Sequence, residues 1–175
     1  VNDDNKVTPE DTPVTVNVLT NDSDPDGSTT LTVTQFTIAG ISGTFTAGQT
    51  ATIAGVGTII VNADGSYTFT PVANYNGNVP AITYTISDGN SGTDTGILNV
   101  IVTSVNDAPL ATDDLVTTPE DTPVNGNVLT NDTDAEGNTL TVSQFEINGV
   151  TYSAGTTVSV PGVGTIIVNA NGSYT

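Results

Sequence analysis

The chain has 175 residues, nineteen Asp and Glu, one basic side chain at Lys6 and a net charge of −18. A single cation cannot neutralise phosphates or settle on an anionic membrane, and no run of ~18 apolar residues is long enough to cross a bilayer. No nucleic-acid partner and no direct membrane insertion are therefore expected, and with Cys and His both absent there is no disulfide, no Ser-His-Asp triad and no zinc site of the usual ligands.

Hydrophobic residues make up 35% of the chain and fall in patterned runs, with β-branched residues plentiful and helix formers scarce. In chain order, Val14, Val16 and Val18 share a face of "PVTVNV". Leu31 and Val33 share a face, then Phe36 and Ile38 shift phase, which predicts a bulge in that strand. Asp64-Gly65 stands between the strand runs "IIV" and "SYTFT" and predicts a tight primed hairpin turn. Tyr75, in "NYNG", is expected to pack a strand crossing. Ile82, Tyr84 and Ile86 share a face of "AITYTIS", as do Leu98, Val100 and Val102 in "ILNVIV". No stretch shows a helical period. Many short strands with turn signals between them indicate an all-β fold of antiparallel β-sandwiches. Phe36, Phe45, Tyr67, Phe69, Tyr84 and Ile86 are the candidates for the centre of its core.

The sequence then repeats itself. "TPEDTPV" at 8–14 returns at 118–124, and "NVLTND" at 17–22 returns at 127–132. "GVGTIIVNA" at 55–63 returns at 162–170. Repeat one spans residues 1–104 and repeat two spans 105–175, where it stops at the counterpart of Thr68. Repeat two lacks counterparts of residues 69–104, so half of its sandwich core is expected to stand open. The chain reads as a fragment of a longer repeat array. The alternative is that a neighbouring chain supplies the missing strands by β-strand addition.

Fifteen of the nineteen acids sit in three places. The opening segment carries Asp3, Asp4, Glu10 and Asp11, matched by Asp113, Asp114, Glu120 and Asp121. The loop "NDSDPDG" carries Asp22, Asp24 and Asp26 before Gly27, matched by Asp132, Asp134 and Glu136 before Gly137. The joint "VNDAP" carries Asp107. Like charges crowded together repel, and calcium, which takes about 6–8 oxygen ligands, is one reason to crowd them. Alternate acids in a tight loop aim oxygens at one point. The loops match only the first half of an EF-hand: the twelfth position is Val33 in one copy and Ser143 in the other, so no Glu closes the site. The plainer reading is that these are Asx turns, whose side chains bond their own backbone. The N-x-[ST] matches at Asn21, Asn131 and Asn171 are read as coincidence in an Asn- and Thr-rich chain.

The combination "TPEDTPV", "NVLTNDSDPDG", "NADGSYTFTP", "YTISDG" and "VNDAP" resembles the cadherin-like or bacterial Ig-like tandem repeats of giant secreted, biofilm-associated surface adhesins. The resemblance covers all of repeat one and what is present of repeat two. It implies extracellular β-sandwich repeats strung end to end at the bacterial cell surface, with calcium at or near the joints. In cadherins a Glu in a "PE" step, an Asp-x-Asp loop and an Asn-Asp linker meet around interdomain calcium. By that resemblance Glu10, Asp24, Asp26, Asn106 and Asp107 are metal ligands, with Glu120, Asp134 and Glu136 in the second copy and Asp88 completing a site at the far end of repeat one. The full cadherin ligand set is absent, so the number of ions stays open and calcium inside a repeat is an alternative.

These readings converge on stalk repeats of an adhesin, with adjacent repeats of the same polypeptide as partners. A fibre subunit touching neighbouring chains and a ligand-binding module are the other readings. An enzyme is not expected, because the acids sit in turns beside like charges with no nucleophile–base pair.

Overall fold

The computed structural model describes residues 1–26 and 30–175. Gly27, expected to close the first acidic loop, lies outside the described residues. The chain divides into two compact units, Val1–Val105 and Asn106–Thr175. No α-helix occurs among the described residues, and no helix is long and apolar enough to cross a membrane.

Among the described residues unit 1 holds ten strands: β1 (Asp4–Pro9), β2 (Val14–Asn17), β3 (Thr32–Ile38), β4 (Ile41–Thr46), β5 (Thr50–Ile53), β6 (Gly57–Val61), β7 (Ser66–Pro71), β8 (Gly77–Asn78), β9 (Ile82–Ser87) and β10 (Thr93–Thr103). One sheet runs β1-β10-β9-β3-β4, with β8 also on β10, and the other runs β2-β7-β6-β5. Alternation buries one face of each strand. Val33, Phe36, Ile82, Tyr84, Leu98 and Val100 from the first sheet meet Ala51, Ile59, Val61, Tyr67 and Phe69 from the second in one buried cluster. Removing that much apolar surface from water is the main favourable term of the fold.

The expected bulge is present: the register of β3 on β9 shifts between Val33 and Gln35, which keeps Val33 and Phe36 both inward. Tyr75 packs against the core, and its hydroxyl donates to the Asn78 carbonyl (2.7 Å). Gly96 pairs with Tyr84 across β10 and β9, where a Cβ would collide with the Tyr84 ring and hydroxyl.

Several expectations change. Phe45 is not central: it lies half-buried on the edge strand β4 and stacks on Phe36 at 5.2 Å. Val16 is 37% exposed, because β2 is an edge strand and the chain leaves it at Val18 for a 3-10 turn, Val18–Asn21. The Asp64-Gly65 hairpin is not a two-residue primed turn. Gly65 N donates to the Asn62 carbonyl (3.0 Å) and Asn62 N to the Ser66 carbonyl (2.8 Å), with Gly65 at φ +83°. That is a three-residue loop ending in a left-handed glycine. Finally, the sheets are not antiparallel throughout: β1 runs parallel to β10, Asp4 against Leu98 through Pro9 against Thr103.

Unit 2 holds β11 (Gly126–Asn127), β12 (Gln144–Ile147), β13 (Val150–Ser153), β14 (Thr157–Val160), β15 (Gly164–Ile167) and β16 (Ser173–Tyr174), paired as β11–β16, β12–β13 and β14–β15. Val158 and Val168 are its buried hydrophobics, while Leu115 and Val163 are 95% and 85% exposed. Residues 114–119, the copy of β1, form no strand. The sequence of this chain holds no copy of β10 for them to pair with.

Candidate cation-binding loops

In both repeats the "NVLTND" segment docks on the hairpin that follows it. Asn17 Oδ1 accepts from Leu19 N (2.8 Å) and Asn17 Nδ2 donates to the Asp64 carbonyl (2.8 Å). Asn127 does the same with Leu129 N (2.8 Å) and the Asn171 carbonyl (2.9 Å). This fixes where each acidic loop starts.

The first acid of each loop ties down the opening segment. Asp22 Oδ1 accepts from Asn2 N (2.7 Å), and Asp132 Oδ1 from Thr112 N (2.8 Å). The second acid closes the loop on itself: Asp24 Oδ1 accepts from Asp26 N (2.8 Å), and Asp134 Oδ1 from Glu136 N (3.1 Å) and Asn138 N (2.9 Å). The third differs between copies. Asp26 is exposed, whereas Glu136 Oε2 accepts from Asp107 N (3.0 Å). Asn106 Oδ1 accepts from Asn138 Nδ2 (3.1 Å). Asn106, Asp107, Asp134 and Glu136 are thus brought together within unit 2.

The remaining acids scatter. Asp11 is exposed at φ +57° and accepts from Asn74 N (3.0 Å), while Asp121 repeats that φ without leaving solvent. Asp113, Asp114 and Glu120 are exposed along the strandless run. Glu10, only 3% exposed, accepts from Val105 N (2.6 Å) and Asn76 Nδ2 (3.4 Å). The Val105 amide is the main reason its carboxyl is held below the usual carboxylate range.

Asp88 joins Asp24 in one cleft of about 260 Å³ in unit 1, floored by Leu31 and Ile86. Asp88 Oδ1 accepts from Asn90 N (2.7 Å) and Gly92 N (2.9 Å). The same cleft is lined by Asp94, which sequence reasoning missed. Asp94 belongs to no motif, and only its place on β10 beside the turn after β9 brings it there. Its Oδ1 accepts from Thr95 N (2.8 Å).

Behind the loop, Tyr84 is fully buried and its hydroxyl meets Asp4 Oδ2 at 2.8 Å, the Asn2 carbonyl at 3.1 Å and Asp22 Oδ2 at 3.4 Å. Burial, with the adjacent Asp4 and Asp22, pushes the Tyr84 phenol far above its ordinary range. Burial also raises Tyr67, to about 12, with Asp4 adding to the effect. Asp4 itself is raised, first by burial and then by the Asp22 and Asp3 carboxylates, against the opposing hydrogen bonds from Tyr84 and Asn21.

Hard oxygen donors of this kind suit calcium in chemistry. Their placement does not: among the described residues no group of three acidic side chains is gathered closely enough to hold one ion. Most of the carboxylates instead spend an oxygen on backbone amides: Asp24, Asp88 and Asp134 on neighbouring amides in the Asx-turn manner, and Asp22, Asp132, Glu136, Asp11 and Glu10 on amides distant in sequence, as tethers between segments.

Residues 1–101 match the bacterial Ig domain family and residues 106–175 the bacterial cadherin-like domain family. The chain is 31% identical over 185 aligned positions to a calcium-binding lectin, RapA2, of Rhizobium johnstonii, covering 99% of this chain and 78% of that protein. Among solved structures it is similar to a nucleoside hydrolase-related hypothetical protein from Saccharophagus degradans, at 16% identity and a TM-score of 0.36, over 59% of this chain and 22% of that one. The domain types and the lectin relative are those of a structural or binding protein rather than an enzyme. The chain belongs to the bacterial Ig domain family through residues 1–101, with a bacterial cadherin-like domain match over the remainder.

Proposed function

We propose that these residues are two repeats of the stalk of an extracellular bacterial adhesin, which extend and space a binding tip from the cell surface. The observation that carries this reading is duplication. The sequence repeats "TPEDTPV" and "NVLTND" with an acidic loop after each, the first copy in the bacterial Ig domain match and the second in the bacterial cadherin-like match. Stalks are copied along a chain, whereas binding tips are usually unique.

Calcium is the proposed cofactor. In unit 1 it would draw on Asp24, Asp88 and Asp94, and in unit 2 on Asn106, Asp107, Asp134 and Glu136. The support is the donor chemistry, the charge of −18 and the similarity to a protein described as a calcium-binding lectin. Because no three acidic side chains among the described residues stand close enough to share one ion, binding would have to draw the loops inward. Calcium at ten to a hundred times its dissociation constant would add about 1.4–2.7 kcal/mol per independent site. Thermal unfolding of the chain in EDTA, then with calcium or magnesium, tests this. A calcium-selective rise in Tm that Asp24→Asn or Asp134→Asn reduces is expected. Equal Tm values in all three solutions would leave the carboxylates as turn formers and solubilisers.

The lectin relative favours a second reading, a calcium-dependent sugar-binding module. Binding of the chain to immobilised polysaccharide, abolished by EDTA, would move the weight to it. Binding that is absent with calcium present would leave the stalk.

A further inference from the structure

The parallel pairing of β1 with β10 is prolonged by one step at each end, and side-chain carboxylates do it. Asp3 precedes the first pair, Asp4 with Leu98, and its Oδ1 accepts from Ile97 N (3.0 Å). Glu10 follows the last pair, Pro9 with Thr103: its own N–H donates to the Thr103 carbonyl (2.9 Å) and its Oε1 accepts from Val105 N (2.6 Å). Asn76 Nδ2 reaches the other Glu10 oxygen at 3.4 Å. Glu10 is buried, and every donor on it is neutral. A buried carboxylate without a counter-charge is costly unless hydrogen bonds satisfy it, and backbone N–H groups are suitable donors. Repeat two offers the contrast: Asp113 and Glu120 are in the same motif, no β10 copy faces them, and both are exposed on a segment with no strand.

We infer that Asp3 and Glu10 are hydrogen-bond latches that lock β1 to β10 at its two ends, and that Glu10 holds the chain's exit from unit 1 without any metal. This departs from the ligand role that the cadherin resemblance implies for Glu10. What the latch requires is an acceptor oxygen, which an amide also supplies. A calcium ligand requires the charge.

Amide exchange by NMR on the full chain in EDTA separates the two. Glu10→Ala is expected to speed exchange of the Val105 amide tenfold or more, and Glu10→Gln threefold or less. Asp3→Ala should act on the Ile97 amide and leave Val105 alone. Amides of β6 and β7 report whether a variant is still folded. If Glu10→Ala unfolds unit 1, the unsubstituted chain in EDTA and Glu10→Gln decide instead. Val105 protection that appears only after calcium is added overturns the inference. So does Glu10→Gln exchanging as fast as Glu10→Ala, or Glu10→Ala leaving Val105 protected in a folded unit.

Discussion

Tyr84 donates a 2.8 Å hydrogen bond to Asp4, joining the centre of the unit 1 core to the first residue of β1. Tyr84→Phe keeps the buried ring and removes the donor, leaving a half-buried carboxylate short of a partner. The expected loss is about 1–3 kcal/mol in urea unfolding at neutral pH. A loss near zero would mean that Asn21 alone satisfies Asp4.

The same pair sets a pH dependence. The Asp4 carboxyl is raised in the fold, so the unfolded chain ionises first as pH climbs from 3.8. Its contribution is therefore most favourable below that value and is lost as pH rises through the folded value. Glu10 and Asp64 are lowered and act in the opposite sense, losing their contribution as pH falls through their folded values. Asp4→Asn accepts from Tyr84 without titrating. Its Tm relative to the unsubstituted chain should rise between pH 4 and neutrality, and a constant difference would show that Asp4 does not titrate differently on folding.

Gly65 separates two costs. At φ +83° an added Cβ would stand 2.5 Å from Leu19 Cγ and 2.7 Å from Asn17 Oδ1. Gly40, at φ +78°, has open space there. Gly40→Ala should cost about 1 kcal/mol for backbone conformation alone. Gly65→Ala should cost about 1–3 kcal/mol more, because it also pushes Leu19 and Asn17 apart. Equal Tm losses would show that the Asn17–hairpin contact yields freely.

Phe36 and Phe45 stack, yet one is fully buried and the other half-exposed. Phe36→Ala should cost about 3–5 kcal/mol by denaturant unfolding. Phe45→Ala should cost about 1–2 kcal/mol, the share of an aromatic contact at a sheet edge.

Residue by residue, what the sequence displayed was local. The TPED turn is made twice: Thr8 Oγ1 donates to the Thr12 carbonyl (3.0 Å) and Thr118 Oγ1 to the Thr122 carbonyl (2.8 Å), with Asp11 and Asp121 both at φ +57°. The bulge after Val33 showed as a phase shift, because burial pattern records register. The strand before TPED was not legible in the same way. It forms at Asp4–Pro9 and fails in the copy, since it depends on a partner about ninety residues away in sequence. Asp94 escaped for the same reason: sequence spacing cannot reveal a cleft assembled by strand pairing. Phe45 was overrated because hydrophobicity alone does not tell a central strand from an edge.

The direction of β1 has a further consequence under load. A pull through residues 1 and 105 drags β1 back toward its start and β10 forward toward its end. Because the two strands run the same way, from Asp4 beside Leu98 to Pro9 beside Thr103, that pull slides one along the other. Every bond of the ladder is then strained together in shear. In an antiparallel pair pulled from one end, the bonds would break in succession. A unit wired in this way resists tension between residues 1 and 105 with its whole seam at once.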